Sequence, residues 1–202
     1  MVDARRTLTA RGLLDGHAER LATASADVRI TVLPASLQLN LRVDTARAPL
    51  DAVEEAIGAP LPGALSSVTT ALGISVVWLG PDEWLVSDPA RSATLERRLR
   101  VAVGDAGAVV NQSGQRLSLL LDGDARGLLA KGTGLDLDPR VFPEGAAVQG
   151  LLAQSAAIFV SRSADGSKVE LIVRTSFARY VADWLLDALV DPLAYPASSS
   201  GD

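Results

Sequence analysis

The chain has 202 residues, 48% of them hydrophobic, a formal net charge of −5 and a pI near 4.9. This length and apolar content suffice for one large domain or two small subdomains that share a core, and the acidic balance provides no global positive field for nucleic acid or anionic lipid. The absence of cysteine excludes disulfides, thiolate metal sites and cysteine nucleophiles.

The first 26 residues are predicted to form an N-terminal arm. It cannot bury much surface alone, because its leucines are thinly spaced among charged residues: Leu8, Leu13, Leu14 and Leu21. Gly12 and Gly16 weaken any helix there. Asp3 and Arg5 stand where a secretory signal requires apolar residues, and the chain has no run of about 18 apolar residues. We therefore expect a soluble, cytoplasmic protein with no membrane-spanning segment.

Alternating apolar residues predict strands in the first half of the chain. The stretch DVRITVLPASLQLNLRVD alternates on both sides of Pro34, which is typical of two half-buried strands. GISVVWLG and EWLVSD predict two more strands, joined by a turn at Gly80-Pro81. A helix is predicted for APLDAVEEAIG, between Pro49 and Gly58. A second helix is expected after Asp88-Pro89.

The second half continues the alternation of strands and helices. AVVNQSGQRLSLLLDG predicts a hairpin around Ser113-Gly114, and AIFVSRSADGSKVELIVR predicts another around Asp165-Gly166. DARGLLAKG predicts a short helix, and TSFARYVADWLLDALV predicts an amphipathic one with a continuous apolar stripe.

Hairpins interleaved with helices indicate an α+β fold, with mainly antiparallel sheets and helices packed on one face of each. The expected organisation is the arm at residues 1–26, a domain at residues 27–190 and a disordered tail at residues 191–202. The domain is either undivided or split into two subdomains that meet near residue 104.

Few side chains suit catalysis. His17 is the only histidine, and it lies in the arm, so neither a Ser-His-Asp triad nor a histidine metal site is expected. Asp82 follows Gly80-Pro81 and is interpreted as a turn former rather than an acid. Lys131 is interpreted as a cation that complements a helix C-terminus. We expect no catalytic, cofactor-binding or metal-binding residues on this chain.

The arginine-rich stretch LERRLR is interpreted as a solvated helix face rather than a nucleic-acid site. Glu96 and Arg100 have the spacing of an ion pair within one helix. No aromatic residues are interleaved there to stack bases. Nucleic acid is therefore not an expected partner.

Several sequence blocks resemble the gamma subunit family of heterotetrameric sarcosine oxidase. The most specific block is WLGPDEWLV, at residues 78–86. LQLNLRVD and GAPLP lie upstream of it, and LLLDGDARGLLAKGTGLDLDPRVFPEG and VRTSFARYVADWLLDAL lie downstream, in an order and at spacings similar to those of the family. The resemblance covers roughly residues 37–189, which is most of the chain.

The resemblance implies a structural subunit without an active site of its own. In such an assembly the alpha, beta, gamma and delta subunits together demethylate sarcosine oxidatively to glycine and pass the one-carbon unit to tetrahydrofolate. FAD, FMN and NAD are expected on the partner subunits. The gamma chain is expected to pack on the alpha subunit and to share the fold of folate-binding aminomethyltransferases such as the glycine-cleavage T protein.

Four apolar residues are the candidates for the partner interface: Leu8, Leu13, Leu14 and Trp84. The leucines are chosen because the arm has few partners of its own. Tryptophan is enriched among interface hot spots, although the sequence favours a core position over an interface position for both Trp78 and Trp84.

Three other interpretations remain open from the sequence. The chain is the equivalent subunit of a related N-methyl amino acid dehydrogenase, a free-standing folate-dependent aminomethyltransferase, or a binding module outside any enzyme complex. The first differs from the leading hypothesis only in a substrate that another chain would select. Folate binding and co-purifying partners discriminate the other two.

Overall fold

The structure, a computed structural model, describes residues 12–190. The helices in this range are α1 (Asp15–Thr23), α2 (Leu50–Ile57), α3 (Ala93–Val103), α4 (Ala125–Ala130) and α5 (Ala178–Leu189). The strands are β1 (Val28–Val32), β2 (Leu37–Val43), β3 (Ser67–Thr69), β4 (Ser75–Gly80), β5 (Glu83–Asp88), β6 (Gly107–Asn111), β7 (Arg116–Gly123), β8 (Ala147–Leu152), β9 (Ser155–Ser161) and β10 (Lys168–Arg174).

The strands form two five-stranded sheets. The first sheet has the order β3-β4-β5-β2-β6, and the second has the order β1-β7-β10-β9-β8. All the pairings between these strands are antiparallel. The α+β class and the antiparallel sheets predicted from the sequence are confirmed.

Each sheet carries helices on one face only. Helices α2 and α3 cover the first sheet, and their leucine, valine and isoleucine side chains share a buried cluster with β2, β4, β5 and β6. Helices α1, α4 and α5 cover the second sheet and share a larger cluster with β1, β7, β9 and β10. The apolar stripe on each helix is therefore buried against a single sheet, as expected for amphipathic helices.

The other faces of the two sheets pack against each other. A third buried cluster lies between them. It is formed by two alternate residues each of β4 and β9 and by one residue each of β5, β8 and β10: Val77, Leu79, Leu85, Ala147, Ile158, Val160 and Ile172. Because side chains alternate along a strand, each central strand supplies one set of residues to its helices and the other set to the opposite sheet. The resulting order of layers is helix, sheet, sheet, helix.

The predicted hairpin around Ser113-Gly114 is wrong. Strand β6 pairs with β2 in the first sheet, whereas β7 pairs with β1 and β10 in the second. The segment between β6 and β7 has the hydrogen bonds of a tight turn, because the Asn111 side chain accepts from the backbone N–H and hydroxyl of Ser113. The turn chemistry is local, but the strand that follows finds its partners in the other sheet.

The chain therefore passes between the sheets twice, after β1 and after β6. Strand β1 belongs to the sheet that is otherwise built from residues beyond 115, so the sheets do not divide the sequence cleanly near residue 104. The domain limits stay a prediction, and the tail at residues 191–202 lies outside the described residues.

The described part of the arm forms a helix in spite of Gly16. Leu14 and Leu21 are almost fully buried in the cluster beneath the second sheet. Helix α1 contacts β1 and α5. Burial of these two leucines offsets the low helix propensity of glycine, which costs roughly 1 kcal/mol.

Arg162 joins the two sheets at one end of the layer between them. Its guanidinium pairs with Glu170 of β10, with 2.8 Å between Nε and Oε2. The same group donates to the hydroxyls of Thr69 on β3 and Ser75 on β4, at 3.0 and 2.9 Å. The side chains of Arg162 and Glu170 are 20% and 12% exposed, so the pair is largely removed from water. One side chain thus makes polar contacts with both sheets.

We expect Arg162→Met to destabilise the protein by about 2 kcal/mol, because it leaves the largely buried Glu170 carboxylate without its cation and breaks both bonds to the first sheet. Urea unfolding monitored by circular dichroism measures the change. Arg140→Met removes an ion pair to Asp138 in which the arginine is 89% exposed, and it should leave the midpoint unchanged since exposed pairs contribute little. Equal losses for the two variants would show that Arg162 does not hold the sheets together.

Candidate functional site

The acidic pair of the WLGPDEWLV block lies at the turn between β4 and β5. Asp82 adopts a positive φ of 60°. Its carboxylate accepts from the Thr45 hydroxyl at 3.1 Å, and its carbonyl accepts from the backbone N–H of Val43 at 2.9 Å. Asp82 therefore lies in the turn, as the sequence predicted, and it also ties the turn to the end of β2, which the sequence did not predict.

Glu83 is engaged by two side chains of the adjacent strand β2. Asn40 donates to its Oε1 at 2.7 Å, and Arg42 donates to its Oε2 at 2.8 Å. Asn40 is 6% exposed, so the amide depends on this bond for a partner. Both carboxylate oxygens of Glu83 thus have structural partners within the first sheet.

Trp84 lies in the core of the first sheet. It is 5% exposed and packs in the cluster shared with α2 and α3. Its indole Nε1 donates to the backbone carbonyl of Pro62 at 2.8 Å. Trp78 is half-buried against the same cluster. The block supplies core anchors and a turn rather than convergent catalytic groups.

The only histidine and one of the two lysines hold helices in place. His17 Nε2 on α1 lies 2.9 Å from a carboxylate oxygen of Asp183 on α5. Lys131 follows α4 and donates to the carbonyl of Ala188 at 2.7 Å, near the C-terminus of α5. The sequence predicted that Lys131 would complement a helix C-terminus; the helix that it contacts is α5 rather than its own.

Two arginines that the sequence analysis did not single out face each other at one end of the layer between the sheets. Arg116 on β7 and Arg174 on β10 are direct register partners, so both side chains lie on the same face. Ile172, two residues before Arg174, belongs to the cluster between the sheets. The arginines therefore lie on the face that is turned toward the first sheet.

The surroundings of Arg116 are partly desolvated and cationic. Burial lowers the pKa of Arg116 below its usual value, and the charge of Arg174 lowers this pKa further, while Glu83 raises it. Arg116 donates to the side-chain oxygen of Gln112 at 2.6 Å. Strand register reveals the arginine pair, because the two residues are 58 positions apart. Arg174 lies in the block VRTSFARYVADWLLDAL, whereas Arg116 lies in none of the blocks that resemble the family.

Two cavities adjoin Arg116. The larger, of about 280 Å³, lies between the arm, the β1–β2 segment and the start of β7, and includes Leu13, Gln38 and Thr175 in its lining. Gln38 is 3% exposed, and its Oε1 has no hydrogen-bond partner within residues 12–190. The smaller cavity, of about 110 Å³, is bounded by Arg116, Arg174 and the paired ends of β8 and β9.

The four interface candidates occupy different environments. Leu13 is 41% exposed beside the larger cavity, whereas Leu14 is 3% exposed and packs beneath the second sheet. Trp84 is buried as described above. Leu8 lies outside the described residues. Of the three described candidates, Leu13 presents a substantial apolar surface to solvent.

Residues 12–190 contain no group of three or more histidine, aspartate or glutamate side chains placed to hold a metal ion. Over the same range, no helix combines the length and the apolar character needed to cross a bilayer.

Comparison with known proteins relates the chain to one family. A model of the sarcosine oxidase gamma subunit family matches residues 42–191. The gamma subunit of sarcosine oxidase from Corynebacterium sp. strain P-1 is 32% identical over 190 residues, which are 90% of this chain and 92% of that one. The corresponding subunit from Arthrobacter sp. is 31% identical over 182 residues, 86% of this chain and 89% of that one.

Solved structures agree with these matches. A chain of the heterotetrameric sarcosine oxidase of Corynebacterium sp. U-96, in complex with pyrrole 2-carboxylate, superposes with a TM-score of 0.80 at 28% identity, over 89% of this chain and 94% of that one. The glycine cleavage system aminomethyltransferase T of Bartonella henselae superposes with a TM-score of 0.57 at 19% identity, over 89% of this chain but 50% of that one. The second likeness concerns the fold alone.

We expect Trp84→Phe to destabilise the protein by about 2 kcal/mol, because it leaves the buried Pro62 carbonyl without a donor and opens a small cavity. The measurement is the free energy of unfolding in urea. Trp78→Phe is the matched control: its indole is half-buried and makes no hydrogen bond within residues 12–190, so the loss should be less than half as large. A Trp84 variant as stable as the control would contradict a core role.

Proposed function

Because this chain belongs to the sarcosine oxidase gamma subunit family, we propose that it is a non-catalytic structural subunit of a heterotetrameric sarcosine oxidase. Its partners are the alpha, beta and delta subunits. The assembled complex demethylates sarcosine oxidatively to glycine and transfers the one-carbon unit to tetrahydrofolate. In this proposal FAD, FMN and NAD are held by the larger subunits.

The observation that carries the proposal is the extent of the match. The similarity spans about nine-tenths of the Corynebacterium gamma subunit in sequence and of the matching U-96 chain in structure. The same residues span half of the aminomethyltransferase chain. The architecture is thus that of a whole gamma subunit, whereas it equals one half of a folate enzyme with which it shares a fold.

The placement of the polar side chains supports a structural role. Asp82 and Glu83 hold the β4–β5 turn and β2, His17 joins α1 to α5, and Lys131 binds the end of α5. A general acid or base needs a proton or a lone pair that points at the substrate within hydrogen-bond reach. The side chains of these residues form hydrogen bonds to neighbouring elements of the chain.

The proposed contact with the partner includes Leu13. Leu13 lies just before helix α1, is exposed and lines the 280 Å³ cavity. The next residue, Leu14, is buried and fixes this segment to the core. An apolar side chain held on a rigid base loses little conformational entropy when a partner covers it. Leu13 therefore offers a preorganised apolar contact at the edge of the molecule.

Co-expression of the tagged chain with the alpha, beta and delta subunits tests the proposal. We expect it to co-elute with a flavin-coloured complex that produces hydrogen peroxide from sarcosine. The isolated chain should show no heat of binding when titrated with tetrahydrofolate. A colourless chain that elutes alone and binds tetrahydrofolate would overturn the subunit role in favour of a folate-binding protein.

We expect Leu13→Arg to reduce recovery of the complex at least about tenfold, because a charge replaces apolar surface at a contact that must be desolvated. Leu72→Arg is the control, since Leu72 is 77% exposed in the β3–β4 turn of the first sheet. Both variants should keep the unfolding midpoint of the parent chain. Equal recovery of the two variants would place the docking surface elsewhere.

A further inference from the structure

Arg116, which is half-buried, and Arg174, which is exposed, lie side by side and carry like charges. They are direct register partners on antiparallel strands, where Cβ atoms are about 4.5–5.5 Å apart and like charges repel. Within residues 12–190, no carboxylate forms an ion pair with either guanidinium. A protein with a net charge of −5 thus keeps two adjacent cations without an acidic partner in its described part.

The acidic group that acts on Arg116 is already paired with other side chains. Glu83, whose charge reaches Arg116 from the first sheet, has Arg42 on one carboxylate oxygen and Asn40 on the other. This end of the layer between the sheets therefore carries an excess of positive charge. An anion placed between Arg116 and Arg174 would remove the repulsion.

The cavity at this place is small. It has a volume of about 110 Å³ and is bounded by the two arginines, Gln149 and the small residues Gly150, Ala156 and Ala157. Pockets for whole metabolites usually measure about 300–1,000 Å³. The available space suits a single carboxylate group at the end of a side chain better than a free substrate.

The rim of this cavity has the composition of a protein interface. Leu151, the register partner of Ala156, is 59% exposed beside it. Arginine is enriched among the residues that dominate binding energy in protein complexes. Charge and volume both favour an acidic side chain of another protein over a small molecule.

We propose that Arg116 and Arg174 form a carboxylate-binding site that receives an aspartate or glutamate side chain of a partner subunit. A planar guanidinium group supplies two parallel N–H donors that suit the two oxygens of one carboxylate, and Arg116 uses only Nη1 for its bond to Gln112. The inference rests on the proposed function, because the partner is a subunit of the same complex. Assembly neutralises the pair and relieves a repulsion that exists only in the free chain.

The test compares stability with affinity in the same variants. Arg174→Gln should leave the unfolding midpoint of the isolated chain unchanged or raised, since it removes one of two like charges. The same variant should weaken binding to a preassembled complex of the other three subunits at least about tenfold, measured by titration calorimetry. Arg116→Lys keeps the charge but loses the planar fork, so it should weaken binding to a smaller degree.

Arg97→Gln is the matched control. It removes the same charge from the exposed face of α3, on the far side of the first sheet. Neither stability nor affinity should change. High salt should narrow the difference in affinity between the parent chain and Arg174→Gln, because screening weakens the interaction of charges at a solvent-accessible rim.

The outcomes separate this inference from the proposed function. If the complex assembles and all three variants bind like the parent, the subunit role stands and the carboxylate site is overturned. A second outcome has two parts: millimolar glutarate raises the unfolding midpoint of the parent but not of Arg174→Gln, and it leaves both chains able to assemble with the other subunits. In that case the site takes free carboxylates and the partner assignment is overturned. If the parent chain binds no partner subunits, both proposals are overturned together.

Discussion

Seven apolar side chains between the two sheets determine how the rest of this protein is arranged. They lie on the faces that the helices leave uncovered, and they come from strands of both sheets. Each sheet is therefore buried on both sides over this area. Sheets with two buried faces tolerate little change in register, because a slip by one residue exchanges the helix-facing set for the sheet-facing set.

The layer between the sheets also holds directional polar contacts beside its apolar cluster. Apolar packing has no preferred orientation, whereas the Arg162 guanidinium meets Glu170 on one sheet and two hydroxyls on the other in fixed directions. The cluster brings the sheets together, and the guanidinium contacts favour one relative placement. Arg116 and Arg174 differ from Arg162: they face the same layer, but neither forms an ion pair with a carboxylate in the described part of the chain.

Much of the fold could be predicted from the sequence because the signals are local. Apolar alternation identified most strands, Pro49 and Gly58 marked the limits of α2, and Asp165-Gly166 marked the hairpin of β9 and β10. The partners of β6 and β7 could not be predicted in this way. Their connecting turn has ordinary turn chemistry, and the choice between a hairpin and a crossing to the other sheet depends on which strands bury more surface over long sequence distances.

The candidate site was predictable to a smaller extent, for a related reason. Asp82 and Lys131 have roles that follow from neighbours in sequence or from helix ends, and the sequence assigned both to structural contacts. Arg116 and Arg174 become a pair only through the register of β7 and β10. Because the two charges meet only in the folded sheet, composition and motif spacing do not predict that they are neighbours.

The same layer connects stability with assembly. The fold that this chain shares with half of an aminomethyltransferase chain depends on buried apolar residues between two sheets rather than on convergent polar ones. A scaffold that serves a complex must still distinguish its partner from other proteins. An unneutralised arginine pair beside exposed apolar surface meets that requirement, since complementary charges contribute more to specificity than to affinity. The least stabilising part of the layer between the sheets is thus the part best suited to recognition.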